Sequence, residues 1–86
     1  MPNSDQYEMG WNDLLGNLKL RMKQNKRVKG MTGGARHYFH VYSKKKDTFE
    51  DYRKGVLDVC RAILEGKSPR FKGPKWVVDE MKKRVM

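Results

Sequence analysis

The second half of the chain repeats apolar residues at steps of three and four positions. Between Asp47 and Gly66 these residues form one stripe opposite charged positions, which predicts an amphipathic helix over about 48–65. Asp47 or Thr48 is the expected N-cap. Gly66 is expected to end the helix in the left-handed conformation that glycine adopts readily. The stripe consists of Phe49, Tyr52, Val56, Val59, Cys60, Ile63 and Leu64.

A second helix is predicted over about 74–85. Pro74 suits its first position, where the missing backbone N–H of proline leaves no helical hydrogen bond unmade. Val77, Met81 and Val85 keep a four-residue step along it. The basic residues near its end complement the negative pole of the helix dipole.

The apolar period changes in the first half of the chain. Residues 18–23 alternate strictly between apolar and basic side chains, which is typical of a strand with one face in the core and one in water. A loop at 24–26 would make them the first strand of a hairpin, and the aromatic segment 37–42 would add a third strand. With a short N-terminal helix around Trp11, we expect an α+β fold with a small antiparallel β-sheet over about 18–42.

A continuous helix from Trp11 to Asn25 is the competing interpretation. It would leave Leu20 exposed and place Gly16 in the helix interior, at a cost of about 1 kcal/mol relative to alanine, so the strand is preferred. Gly55 carries the same cost in the 48–65 helix unless close packing requires it. The alternative fold class is mostly α with a β-hairpin.

The net charge of +10 indicates the kind of partner. Ten basic residues and no Asp or Glu lie between Asn17 and Lys46, so a third of the chain carries the entire net charge. Such segregation is typical of a surface that faces a polyanion. The expected contacts are Lys19, Arg21, Lys23, Arg27, Lys29 and Arg36, with Lys44, Lys45 and Lys46 as a clamp on a phosphate backbone.

The link between the two C-terminal helices interleaves basic and aromatic residues, so it could grip phosphates and stack a base. Trp76, at the end of this link, is expected instead to close the small core. Further candidate contacts are therefore the basic residues Lys67, Arg70 and Lys72 and the stacking or anchoring residues Phe71, Tyr42 and His40.

No pattern of catalytic, metal-binding or cofactor-binding residues accompanies this charge. His37 and His40 would point to opposite faces of a strand, and Cys60, as the single cysteine, leaves a zinc site short of ligands. The acidic residues at 47–51 are explained by the electrostatics of a helix start. We therefore expect a protein without enzyme activity, metal or cofactor.

The same residues predict one domain over 1–86 in the cytoplasm. A lone cysteine fits a reducing compartment. No apolar run reaches the roughly 18 residues needed to cross a bilayer, and the Met1 end lacks the basic-then-apolar order of a secretory signal.

The order of a basic three-stranded sheet followed by a capped helix resembles small sheet-plus-helix DNA-binding domains, such as the plant AP2 type and the integrase arm-binding type. The likeness rests on residues 38–42 running into Asp47, Thr48, Phe49 and Glu50, and it covers about half of the chain. It implies a fold and a nucleic-acid partner but assigns no functional residue.

The expected function is non-catalytic binding of nucleic acid, DNA or RNA, through a basic sheet face and the basic link. The alternative is a small regulatory or inhibitory protein, of the kind that phages and mobile elements encode. Such a protein would dock its basic face on an acidic surface of a host enzyme, where charge complementarity supplies the association rate and orientation.

Overall fold

The computed structural model describes residues 4–46 and 49–85. Within those ranges it contains four α-helices and no β-strand. The helices are α1 (Ser4–Gln24), α2 (Thr32–Lys44), α3 (Glu50–Leu64) and α4 (Lys75–Val85). Helix α3 packs against both α1 and α2, and α4 packs against α1.

The predicted α+β fold is therefore wrong, and so is its sheet over 18–42. Residues 18–23 form the last turns of α1, because Leu18 continues an apolar stripe that starts upstream and is buried. Leu20 is half-buried, so a helix leaves less of it in water than expected. The competing interpretation of one continuous helix is the correct one, and the hairpin of the alternative fold class is also absent from the described residues.

The predicted third strand at 37–42 lies inside α2. Its aromatic residues follow a helical step from Ala35, which is fully buried, and Tyr38, Phe39 and Tyr42 pack half-buried against the core. Aromatic residues favour strands mainly because a sheet lets their side chains pack, and less because of a backbone preference. In this protein the packing of α2 on α3 supplies those contacts, so the segment can be helical. The resemblance to sheet-plus-helix DNA-binding domains depended on this sheet, so the structure does not support it.

The hydrophobic core lies between α1, α2 and α3. Leu15, Val59 and Cys60 have no exposed surface. Met81 extends the buried surface to α4. The core residues from the first three helices are Leu14, Leu15, Leu18, Ala35, Val56, Val59, Cys60 and Ile63.

Two glycines allow α1 and α3 to cross with their backbones in contact. A Cβ atom at Gly55 would overlap the carbonyl oxygen of Tyr7, and one at Gly10 would overlap the carbonyl oxygen of Tyr52. The Tyr7 hydroxyl donates a hydrogen bond to Asp58 at 2.5 Å on one side of this crossing. The close packing that could justify Gly55 in a helix interior is thus present.

The helices predicted over about 48–65 and 74–85 correspond to α3 and α4. Gly66 ends α3 as expected, with φ of 82°. Its N–H donates to the carbonyl of Ile63, and the N–H of Lys67 donates to that of Ala62, which is the Schellman pattern. The expected N-caps Asp47 and Thr48 lie outside the described residues.

The link from α3 to α4, which we call the strap (residues 65–74), is tied to α1. The buried side chain of Asn12 accepts a hydrogen bond from the Lys72 N–H at 2.8 Å and donates one to the Lys72 carbonyl at 2.7 Å. The indole N–H of Trp11 donates to the Arg70 carbonyl at 2.7 Å. These bonds hold Phe71 against the core.

Candidate functional site

Nine of the ten basic residues of the 17–46 segment form two groups, and the tenth, Lys19, lies apart from both. The first group, which we call the basic end, lies on the last turns of α1, the α1–α2 loop and the first turns of α2. All its side chains are exposed. The basic end consists of Arg21, Lys23, Lys26, Arg27, Lys29 and Arg36.

Asn25 orders the loop that carries the centre of the basic end. Its N–H donates to the carbonyl of Arg21 and so completes the last turn of α1, and its own carbonyl accepts from Val28. Its side-chain oxygen accepts a hydrogen bond from the Arg27 N–H at 3.0 Å. A side chain that bonds its own backbone two residues on is the usual device for a tight turn, and here it holds Lys26 and Arg27 at the tip.

A cleft of about 410 Å³ opens between α1 and α2 beside this loop, and we call it the α1–α2 cleft. Leu18 and Val28 supply its apolar part, while Arg21 and His37 supply its polar part. No carboxylate lines it among residues 4–46 and 49–85. The remaining lining residues are Gly30, Gly33 and Gly34.

The N-terminus of α2 borders the same cleft. The Met31 side chain at the N-cap makes no capping hydrogen bond, and the first turn contains no acidic residue. The first backbone N–H groups of a helix have no partner within the helix and carry the positive end of its dipole. A Cβ at Gly33 would meet nothing within 4 Å, so an anion could approach these N–H groups closely.

The second basic group, Lys44 to Lys46, follows the other end of α2. Since α2 has 13 residues, these lysines stand about 20 Å along the helix from its start at a rise of 1.5 Å per residue. The Lys45 ammonium lies over the Tyr42 ring at 5.2 Å, and the Lys45 carbonyl accepts from Arg53 at 3.0 Å. The expected clamp is therefore separate from the basic end.

Lys19 and the strap cations form a third region. The Lys19 ammonium lies 5.2 Å from the centre of the Phe71 ring, and the Lys72 ammonium lies 4.4 Å from the Trp11 ring. Lys67 pairs with Glu65 at 3.1 Å. The strap thus contributes cations on the flank of α1, and its aromatic residue Phe71 is half-buried.

Trp76 was predicted to close the core, and that prediction is wrong, as is the place of Phe49 on the inward stripe of α3, because Phe49 is 74% exposed. Trp76 is 70% exposed on the outer face of α4, so it does not close the core. The four-residue step of the apolar residues on α4 points Val77 and Met81 inward, and Trp76, at least about 100° around the helix from either, falls outside that stripe. Of the two aromatics in this region, Phe71 packs inward.

The histidines also lie on a helix rather than a strand. His37 lines the α1–α2 cleft, and His40, three residues further, is exposed on a neighbouring part of the same helix. Within the described residues no three His, Cys, Asp or Glu side chains come together as a group that could hold a metal ion.

The titratable groups with shifted pKa values are Cys60, which lies in the core, and two half-buried tyrosines between α1 and α3, Tyr7 and Tyr52. Burial raises the pKa of the Cys60 thiol to about 12, which keeps it protonated and unreactive. Burial, together with the hydrogen bond to Asp58, raises the pKa of Tyr7 to about 12. Burial, aided by a hydrogen bond to Asp13, also raises the pKa of Tyr52. The two tyrosine hydrogen bonds join α1 to α3, and none of these three groups lines the α1–α2 cleft.

Comparison with protein-family profiles, curated proteins and solved structures gives no match for this chain. None of the described helices is long and apolar enough to cross a membrane.

Sequence reasoning found the cations of this region but missed the glycines and His37 that shape the α1–α2 cleft. The available signal was the step from Ala35 through Tyr38 and Phe39 to Tyr42, which is helical. A helix assigned on that step would have placed Gly33 and Gly34 in its first turn, at the positive end of its dipole.

Proposed function

We propose that this protein binds nucleic acid without catalysis and that its basic end holds the phosphate backbone. The observation that carries the proposal is that six exposed cations lie on the last turns of α1, the loop after it and the first turns of α2, next to the open N-terminus of α2. One of them, Arg21, lines the α1–α2 cleft, and no carboxylate of the described residues does. Cations aimed at phosphates release condensed counterions, and the first N–H groups of a helix add uncharged donors to the same oxygens.

Charge balance within the molecule supports this assignment. Three lysines outside the basic end pair with glutamates. All three ion pairs are exposed, so they add little to the stability of the fold. None of the three pairs includes a residue of the basic end. They join Glu50 to Lys54 at 3.9 Å, Glu65 to Lys67 at 3.1 Å and Glu80 to Lys83 at 3.8 Å.

Lys44 to Lys46 and the cations of the strap are secondary contacts in this proposal. They lie away from the α1–α2 cleft, so they would meet a long nucleic acid that wraps past the basic end, or its flanking phosphates. The compartment that fits a lone, buried cysteine and a nucleic-acid partner is the cytoplasm.

The test is a titration of labelled duplex DNA, single-stranded DNA and structured RNA at several salt concentrations. We expect a dissociation constant below the nonspecific range of about 10⁻⁴ to 10⁻⁶ M at physiological salt for one of these forms. Arg27→Glu with Lys29→Glu should weaken that binding by tenfold or more. It should also reduce the slope of log K against log salt by about 2, roughly one for each lost phosphate contact.

The matched control is Lys75→Glu with Lys83→Glu, which makes the same change in net charge on α4. Both double variants should keep their thermal midpoint, because all four side chains are exposed. Equal losses of affinity in the two would reduce the effect to net charge and contradict a site at the basic end. Indiscriminate binding that vanishes at physiological salt, beside a one-to-one complex with an acidic protein that survives it, would favour the regulatory function instead.

A further inference from the structure

A second recess lies on the other flank of α1, and we call it the side groove. It has a volume of about 480 Å³, within the range of about 300–1,000 Å³ that is usual for ligand pockets. Lys19 of α1, the strap and one face of α4 form its walls. Its lining residues are Lys19, Arg70, Phe71, Val78, Lys82 and Val85.

The apolar part of the side groove is an unpartnered stripe. Val78, Lys82 and Val85 stand at steps of four and three on one face of α4, while Met81 beside them faces the core and is buried. The Asn12 hydrogen bonds to Lys72 fix the strap, and so hold the Phe71 ring opposite this face. The ring also lies against α1, since a Cβ at Gly16 would stand 3.9 Å from it, an ordinary van der Waals contact.

The charged part of the side groove has one sign. Lys19, Arg70 and Lys82 are cationic, and no carboxylate is among the lining residues. An apolar floor inside a cationic rim is complementary to a peptide that carries acidic residues around a large apolar side chain, because the rim pairs with the acids while the floor buries the apolar group.

Two other occupants fit less well. A stacked nucleobase needs a free ring face, but the Lys19 ammonium already lies 5.2 Å from the centre of the Phe71 ring, which is itself half-buried. A second copy of this chain would bring its own net charge of +10 against a cationic rim. Repulsion between like charges would oppose that contact.

We propose that the side groove docks an acidic segment of a partner protein, with one large aliphatic or aromatic side chain of that segment seated between Phe71 and the valines of α4. This interaction is separate from the nucleic-acid contact at the basic end. The protein would then join a nucleic acid on one surface to an acidic protein on another.

The test is to probe an array of random nine-residue peptides with the whole protein at physiological salt. Peptides that combine Asp or Glu with Leu, Ile, Phe or Trp should be enriched among those bound. The strongest of them, labelled and titrated in solution, should shift the backbone amide signals of Phe71, Val78 and Val85, while those of Gly33 and Gly34 stay in place.

Lys82→Glu and Lys83→Glu form a matched pair, since both replace an exposed lysine in the last turn of α4 and only Lys82 lines the side groove. Lys82→Glu should weaken the selected peptide about tenfold, and Lys83→Glu by less than about twofold. Equal effects would overturn the proposal, as would an array without enrichment in acidic and apolar residues.

A single-stranded oligonucleotide added as competitor separates this proposal from the nucleic-acid function. An oligonucleotide that binds as well to Lys82→Glu as to the unchanged protein supports separate surfaces. Displacement of the peptide by the oligonucleotide, together with equal loss of both ligands in Lys82→Glu, would make the side groove part of the nucleic-acid surface and overturn the peptide assignment.

Discussion

Gly55 sets how closely α1 and α3 approach, so it should be the position most sensitive to one added methyl group. In Gly55→Ala the new Cβ would meet the carbonyl oxygen of Tyr7 and the backbone nitrogen of Trp11, neither of which can turn away. We expect the free energy of unfolding to fall by about 1–3 kcal/mol, the usual cost of overpacking. Urea denaturation monitored by circular dichroism measures it.

Gly33→Ala is the matched control for Gly55→Ala, because it is also helical but its Cβ would meet nothing within 4 Å. It should leave stability unchanged or raise it by up to about 1 kcal/mol, through the better helix propensity of alanine. Similar losses in both variants would mean that the crossing of α1 and α3 is not set by Gly55.

Tyr7 should make the protein less stable as the pH rises above 10. Its folded pKa is raised to about 12 from the ordinary 10, first by burial and then by the bond to Asp58. The folded state therefore holds this proton more tightly than the unfolded state. Its contribution is fully present below pH 10 and is lost as the pH rises from 10 to 12.

The variant Tyr7→Phe isolates this contribution. It should be less stable than the unchanged protein at pH 8, and the difference should shrink steadily between pH 10 and pH 12 because phenylalanine has no proton to lose. Urea denaturation of both proteins at several pH values measures the difference. A difference that stays constant through pH 12 would show that folding does not raise the pKa of the Tyr7 hydroxyl.

At the scale of elements, the C-terminal half was predictable from the sequence and the N-terminal half was not. The stripe of α3 is long, its end is marked by Gly66, and α4 follows a proline at its start. In contrast, Gly10 and Gly16 look like helix limits, although both lie inside α1. Gly10 is required where the backbone of α3 approaches α1, and a Cβ at Gly16 would meet the flexible end of the Met81 side chain. From the local sequence alone, a glycine that ends a helix cannot be distinguished from a glycine inside a helix that allows another helix to pack closely.

The candidate sites were predictable only as far as charge goes. Exposed lysines and arginines could be named from their spacing, but which of them meet depends on how the helices pack. The turn at Asn25 gathers one group around the start of α2, while the length of α2 separates Lys44 to Lys46 from it. The side groove exists because Asn12 ties down the strap, and no local pattern reports a bond between residues 60 positions apart.

The strap should open as one element when Asn12 loses its amide. In Asn12→Ala the N–H and carbonyl of Lys72 both lose their partner, and each such hydrogen bond contributes about 0.5–1.5 kcal/mol. We expect faster amide hydrogen exchange at 70–73 and unchanged protection in the centre of α3. If exchange accelerates equally in α3, Asn12 supports the whole fold and not the strap alone.

At the scale of the whole molecule, the protein carries a net charge of +10 on 86 residues. Repulsion between these positive charges destabilises the folded state. Any salt should relieve this repulsion by screening, whereas an anion that binds the folded state adds a further stabilisation that grows with its concentration. Inorganic phosphate should therefore raise the thermal midpoint more than chloride does at equal ionic strength. For a protein of this size each 1 kcal/mol corresponds to about 4–8 °C.

Phosphate also stabilises proteins without binding a site, because it is excluded from their surfaces. Two variants with the same loss of charge separate the two effects: Arg21→Gln, which removes a cation of the α1–α2 cleft, and Arg84→Gln near the end of α4. Arg21→Gln should lose most of the excess of phosphate over chloride, since its guanidinium and the first N–H groups of α2 would hold the anion together. Arg84→Gln should keep that excess, and an equal excess in both variants would place phosphate binding outside the cleft.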